Sequence, residues 1–139
     1  MKFLHTMLRV KDLDAALKFY VEHLGLVEIE RKENPAGRFT LVFLGPTPKE
    51  PILELTYNWD QSEAYSTGRF FGHLAFGVEN IYTTCAQLQE AGVAILRPPR
   101  DGRMAFIKSP DGASVELLQI GAALPPQAPW DTMENQGTW

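Results

Sequence analysis

Cysteine is almost absent from this sequence, with Cys85 the single example in 139 residues. One thiol excludes an intrachain disulfide and a metal cluster built from cysteines. No stretch approaches the roughly 18 consecutive apolar residues needed to cross a bilayer. The opening Met1-Lys2-Phe3-Leu4-His5 lacks the apolar core of a secretory leader. These absences point to a reducing, cytoplasmic setting without membrane contact. Positive charge is also scarce: 13 Lys and Arg stand against 17 Asp and Glu, a net charge of −4. That balance argues against nucleic acid as a partner, which would call for a basic face. There is no Gly-rich phosphate loop and no serine in a Gly-x-Ser-x-Gly setting. What is present is an ordinary globular composition, 45% hydrophobic and 22% charged. The length suits one domain, which at this size buries roughly two-thirds of its surface without covalent staples.

The chain repeats itself. His5-Thr6-Met7-Leu8-Arg9-Val10-Lys11-Asp12-Leu13 matches His73-Leu74-Ala75-Phe76-Gly77-Val78-Glu79-Asn80-Ile81. Each piece begins on His, runs apolar and ends on an Asp or Asn suited to start a helix. Leu24-Gly25-Leu26-Val27 matches Ala91-Gly92-Val93-Ala94, and Gly37-Arg38-Phe39-Thr40 matches Gly102-Arg103-Met104-Ala105. Ile52-Leu53-Glu54-Leu55-Thr56 then matches Ser114-Val115-Glu116-Leu117-Leu118. Four pieces in one order indicate duplication, the second copy having the shorter loops.

Periodicity supplies the elements. Residues 3–10 alternate and read as a strand. Asp12 caps a helix in which Leu13, Ala16, Leu17, Tyr20 and Leu24 recur at helical spacing, and Gly25 ends it. Strands follow at 26–31, 39–44 and 51–57. Residues 58–71 read as a linker. The second copy gives a strand at 72–78, a helix at about 81–91 between Asn80 and Gly92, and strands at 93–96, 104–108 and 114–119. Pro110-Asp111-Gly112 is a turn. The expected architecture is α+β, one domain over residues 1–120 made of two βαβββ repeats at about 1–57 and 72–119. Residues 121–139 form a tail, because Leu124-Pro125-Pro126-Gln127-Ala128-Pro129-Trp130 suits neither a helix nor a central strand. It reads either as a solvated end or, with Trp130 and Trp139, as a docked one. Cys85 falls among the apolar positions of the second helix and reads as a small buried hydrophobe.

Four polar residues stand out. Glu54 interrupts Ile52-Leu53-Glu54-Leu55, and Glu116 interrupts Val115-Glu116-Leu117-Leu118. A carboxylate in an apolar strand is costly to bury unless it faces solvent or a cation. His5 and His73 open matching strands of the two copies. If the copies are related by pseudo-symmetry, two His and two Glu converge and suit a divalent metal such as Ni, Co, Zn or Mn. His23, near the end of the first helix, reads as a surface residue. Arg9 shares a strand face with His5 and is a candidate anchor for an anionic substrate.

These residues carry a family resemblance. His5-Thr6-Met7-Leu8-Arg9-Val10, Glu54-Leu55-Thr56-Tyr57-Asn58-Trp59, Gly72-His73, Ala105-Phe106-Ile107, Pro110-Asp111-Gly112 and Val115-Glu116-Leu117 resemble bacterial glyoxalase I (lactoylglutathione lyase) of the vicinal-oxygen-chelate superfamily. The resemblance spans about residues 2–119. It implies a glyoxalase/bleomycin-resistance-like fold, whose paired modules have curved sheets forming a metal-binding cleft. It implies His5, Glu54, His73 and Glu116 as metal ligands, with Glu116 as catalytic base and Glu54 as its counterpart. It implies Ni2+ or Co2+ rather than Zn2+, glutathione as cosubstrate, and a homodimer whose sites draw ligands from both chains. The implied reaction isomerises the methylglyoxal–glutathione hemithioacetal to S-lactoylglutathione by proton transfer through an enediolate. Arg9, Asn58 and Arg69 match positions that hold the γ-glutamyl end of glutathione.

The sequence also departs from that pattern. Arg97-Pro98-Pro99-Arg100-Asp101-Gly102-Arg103-Met104 replaces a longer glycine-rich loop that closes over the glycyl end. Arg100 or Arg103 is then the candidate replacement contact, or the thiol carrier differs. The tail likewise lies outside the pattern. The alternatives are another metalloenzyme of the superfamily, such as an acyl-CoA epimerase or a thiol transferase, and a metal-free small-molecule-binding protein of the same fold.

Overall fold

A computed structural model describes residues 1–139. The chain divides into two compact units, Met1–Ser66 and Thr67–Trp139. The fold is α+β, with two separate sheets.

The first unit runs β1 (Thr6–Val10), α1 (Leu13–Leu17), β2 (Val27–Asn34), β3 (Phe39–Gly45) and β4 (Leu53–Asn58). Its sheet has the order β1-β4-β3-β2, with β1 parallel to β4 and the other pairs antiparallel. Alternation buries Val10, Val42, Leu44, Leu53 and Leu55 on one face. Each such side chain contributes about 1.5–3 kcal/mol on burial. The strand expected at 3–10 begins only at Thr6, whose N–H donates to the Ile52 carbonyl at 3.0 Å as the first rung. Phe3 and Leu4 are exposed.

The Asp12 side chain caps α1 by accepting from the Ala15 N–H at 2.9 Å. The helix expected to continue in α form to Leu24 instead widens into a π-helical turn, Lys18–His23. The Leu24 N–H there reaches the Phe19 carbonyl at 3.0 Å. A wider turn changes the side-chain phase. Here the consecutive Phe19 and Tyr20 are both buried, packed edge to face at 5.0 Å. Edge strand β2 is almost wholly exposed. It carries paired charges, Arg31 with Glu28 at 2.8 Å and Lys32 with Glu30 at 3.0 Å. Charge of this kind blunts a sheet edge against further pairing.

The second unit runs β5 (His73–Val78), α2 (Ile81–Glu90), β6 (Met104–Lys108) and β7 (Ser114–Gln119), with sheet order β5-β7-β6. Asn80 caps α2 by accepting from the N–H groups of Tyr82 and Thr83. Ile81, Tyr82, Cys85 and Leu88 are its buried positions. Burial pushes the Cys85 thiol up to about 12, so it is inert at neutral pH. The strand expected at 93–96 does not form. A single bridge, Arg97 with Phe106, is all that remains of it. The physical reason follows immediately in the chain, because Pro98 and Pro99 have no N–H with which to extend a ladder.

The tail docks. Trp130 is buried in a short 3-10 turn, Trp130–Thr132. The Leu124 N–H donates to the Gly102 carbonyl at 3.0 Å, and the Tyr82 hydroxyl donates to the Pro125 carbonyl at 2.9 Å. The Arg100 guanidinium donates to the Met133 carbonyl and to Asn135 Oδ1, both at 2.8 Å. The Gln136 N–H then donates to the Leu96 carbonyl at 2.8 Å, on the segment that would have been the outer strand. Gly102 is required beneath this tail. Its φ is +63°, and a Cβ there would lie 1.9 Å from the Leu124 carbonyl oxygen. No helix is long and apolar enough to cross a membrane.

Candidate metal centre

The two units repeat one arrangement of three side chains. In the first, His5 precedes β1 and Glu54 lies on the adjacent β4. His5 Nε2 is 2.7 Å from Glu54 Oε2. Phe43 of β3 pairs directly with Glu54, and the His5 ring meets it edge on at 5.4 Å. In the second, His73 opens β5 and Glu116 lies on the adjacent β7. His73 Nε2 is 3.2 Å from Glu116 Oε2. Phe106 of β6 pairs directly with Glu116, and the His73 ring meets it edge on at 5.5 Å. Both carboxylates are 15% exposed. In each unit the phenylalanine fixes the imidazole plane, and strand alternation turns the carboxylate away from the buried face.

The donor sets fit a divalent cation. Ligand atoms about 2.1 Å from one ion lie about 3 Å apart when they occupy neighbouring positions. The two Nε2–Oε2 contacts, 2.7 and 3.2 Å, have that spacing. Each pair supplies one nitrogen and one oxygen, which suits zinc, nickel or cobalt better than calcium. No three His, Cys, Asp or Glu of the chain gather into a metal-holding group. Each unit by itself brings together one His and one Glu.

The neighbours of the two pairs differ. Arg9 is in register with Thr56, and Asn58 lies two residues further along β4, so both share the Glu54 face. Arg9 is exposed, and Asn58 donates to the Tyr65 hydroxyl at 3.1 Å. On the Glu116 face the matching positions are Gly77, Leu118 and Ile120, with Met104 in register with Leu118. That surface is apolar and aromatic, apart from Lys108 in register with Ser114. The buried Ser114 hydroxyl has no hydrogen-bond partner. Arg69 lies in an exposed turn four residues before His73.

Arg103, expected as a substrate contact, does not join this face. Its carbonyl accepts from the Gln119 N–H at 2.9 Å, which places it one step out of phase with Glu116. Its guanidinium donates to the Gly121 carbonyl at 2.6 Å. Arg100 is spent on the tail, as described above. Arg97 donates to the Met104 carbonyl at 2.5 Å and pairs with Asp101 at 2.9 Å. All three arginines of this loop thus hold the scaffold. Partial burial would raise the Asp101 carboxyl. The Arg97 guanidinium and the N–H groups of Arg103 and Met104 outweigh that and hold it down at about 2.

A cavity of about 880 Å3 is lined by Lys11, Asp12, Leu13, Asp14, Arg31, Glu33, Thr40, Tyr57 and Trp59. Thr40 and Tyr57 are in register with each other and out of phase with Glu54, so this cavity lies behind the sheet from the His5–Glu54 pair. Phe43 and Phe106 are the residues of this arrangement that residue-by-residue reading does not single out. Their signal was positional, since each stands opposite the glutamate in its own copy.

A two-module α+β protein with matched His–Glu pairs is the class these features define. Comparison with known proteins agrees. The chain belongs to the Glyoxalase/Bleomycin resistance protein/Dioxygenase superfamily, whose model matches residues 2–117. It is 41% identical over 129 residues to a probable lactoylglutathione lyase of Synechocystis, covering 88% of this chain and 98% of that protein. It is 41% identical over 126 residues to the lactoylglutathione lyase of Haemophilus influenzae, covering 86% and 93%. Among solved structures it is similar to the trypanothione-dependent glyoxalase I of Leishmania major. That match has a TM-score of 0.81 at 40% identity and covers 86% of each chain.

Proposed function

We propose that this chain is a lactoylglutathione lyase, converting the methylglyoxal–glutathione hemithioacetal to S-lactoylglutathione. The observation that carries the reading is the repeated His–Glu–Phe arrangement, His5–Glu54–Phe43 and His73–Glu116–Phe106. It is supported by relatives of that name at about 40% identity over most of the chain. Residues 1–120 act as one functional domain, carrying both copies.

His5, Glu54, His73 and Glu116 together hold one divalent cation, nickel or cobalt in preference to zinc. When bound, such a cation supplies Lewis-acid stabilisation of negative charge developing on two adjacent oxygens. The chain's own residues move the proton. Glu116 takes it from the carbon bearing sulfur and returns it to the neighbouring carbon, with Glu54 as its counterpart. Arg9, Asn58 and Arg69 hold the charged γ-glutamyl end of glutathione. The apolar face of the second unit receives the aldehyde's side group.

The enzyme works as a homodimer, as the resemblance to glyoxalase I implies. Each centre then takes His5 and Glu54 from one chain and His73 and Glu116 from its partner. The reaction belongs in the cytoplasm, where glutathione is reduced and abundant.

The test is thioester formation, followed by ultraviolet absorbance, from methylglyoxal plus glutathione. Metal-stripped protein is used, with nickel, cobalt or zinc restored in turn. The reading expects metal-dependent thioester, highest with nickel or cobalt. Stoichiometric metal binding without thioester would contradict it.

A further inference from the structure

We propose that Trp139 is a specificity-determining residue, forming an aromatic wall beside the His73–Glu116 pair that favours 2-oxoaldehydes with an aromatic side group. This rests on the hemithioacetal reading above and names the substrate class within it.

The placement is built rather than incidental. Trp139 stacks on Phe106, with ring centroids 5.9 Å apart and planes at 29°. Phe106 in turn meets His73 edge on at 5.5 Å and 85°. The indole therefore sits two rings away from a proposed metal ligand. Phe106 is in register with Glu116, so the stack lies on the face that carries the carboxylate.

The tail does not need this contact to stay docked. Buried Trp130, the Arg100 bonds to Met133 and Asn135, and the Gln136–Leu96 bond already fix it. Trp130 is 4% exposed, whereas Trp139 is 41% exposed. A tryptophan held in place yet left that open offers aromatic surface to a ligand. Leu118 and Met104 extend the same surface, and at the positions matching Arg9 and Asn58 this unit has Gly77 and Ile120. Lys108 and Ser114, the polar pair of this face, lie on the other side of Glu116 from Leu118 and Met104.

The test compares kcat/KM for the glutathione adducts of phenylglyoxal and methylglyoxal in the wild type, Trp139→Ala and Trp139→Phe. Trp139→Ala should lower the phenylglyoxal-to-methylglyoxal ratio about 3- to 10-fold, the worth of one aromatic contact. Trp139→Phe should keep most of it. A purely structural role would change both adducts alike, so an unchanged ratio would overturn the proposal. A second readout is independent of turnover. S-benzylglutathione should quench the wild-type tryptophan fluorescence and bind more tightly than S-methylglutathione, and Trp139→Ala should remove that difference. If the wild type processes neither adduct, the lyase reading fails and this binding comparison alone decides the role of Trp139. Equal discrimination by wild type and Trp139→Ala would reject it.

Discussion

The first and second units hold the same His–Glu–Phe trio but differ in the residues set around it. Around His5 and Glu54 stand Arg9, Thr56 and Asn58. Around His73 and Glu116 stand Gly77, Leu118, Ile120, Met104 and the Phe106–Trp139 stack. The difference shows where two like modules have diverged. His, Glu and Phe recur in both units, while the positions four residues beyond the His and the Glu differ, Arg9 and Asn58 against Gly77 and Ile120. The sheet edges diverged too. The first unit protects β2 with paired charges, whereas the second covers its reduced outer segment with a proline-containing tail.

The comparison can be sharpened by substitution, beginning with the largest effect. Glu116→Gln keeps the shape and removes the proposed base, so kcat should fall about 10²- to 10⁴-fold with the fold intact by circular dichroism. Near-normal turnover would reject Glu116 as the base. Arg9→Ala tests the polar face. It should mainly raise KM for the glutathione adduct, about tenfold, because it removes a contact made equally in ground and transition states. An unchanged KM would place Arg9 outside the substrate's reach.

The smallest effect concerns acid. Asp101 is held at about 2 in the folded chain, below the ordinary carboxylate value of about 3.9. Its stabilising contribution is therefore complete above about pH 4 and is lost as pH falls towards 2. In the first unit, Arg31 likewise holds Glu28 below its usual range through their hydrogen bond. Thermal midpoints of the wild type and Asp101→Asn should differ by a constant amount above pH 4 and converge below it. A gap that persists to pH 2 would rule out the ion pair as its source.

Much of this was legible before the structure. Matched pieces in one order announced the repeated strand–helix–strand pattern, and a glutamate inside an apolar strand of each copy marked the residues that the structure sets beside His5 and His73. Two kinds of information were hidden. The first was pairing. Residues 93–96 have a strand-like composition, but Pro98 and Pro99 stop the ladder at one bridge. Arg103 sits beside a strand whose phase turns it away from Glu116. The second was local helical geometry. A π turn needs only a shifted hydrogen bond, from Leu24 to Phe19, and leaves no compositional mark. The tail's docking was visible only as two tryptophans out of place among prolines.

The central claim is that each His–Glu pair is half of a centre completed by a second chain. The most direct measurement mixes two inactive variants, His5→Ala and His73→Ala, after unfolding and refolding them together. A mixed dimer then has one centre carrying both lesions and one carrying neither. Activity should return to about a quarter of the wild-type level from equal amounts. No recovery on mixing, with dimers of the two variants shown to have exchanged, would contradict the account.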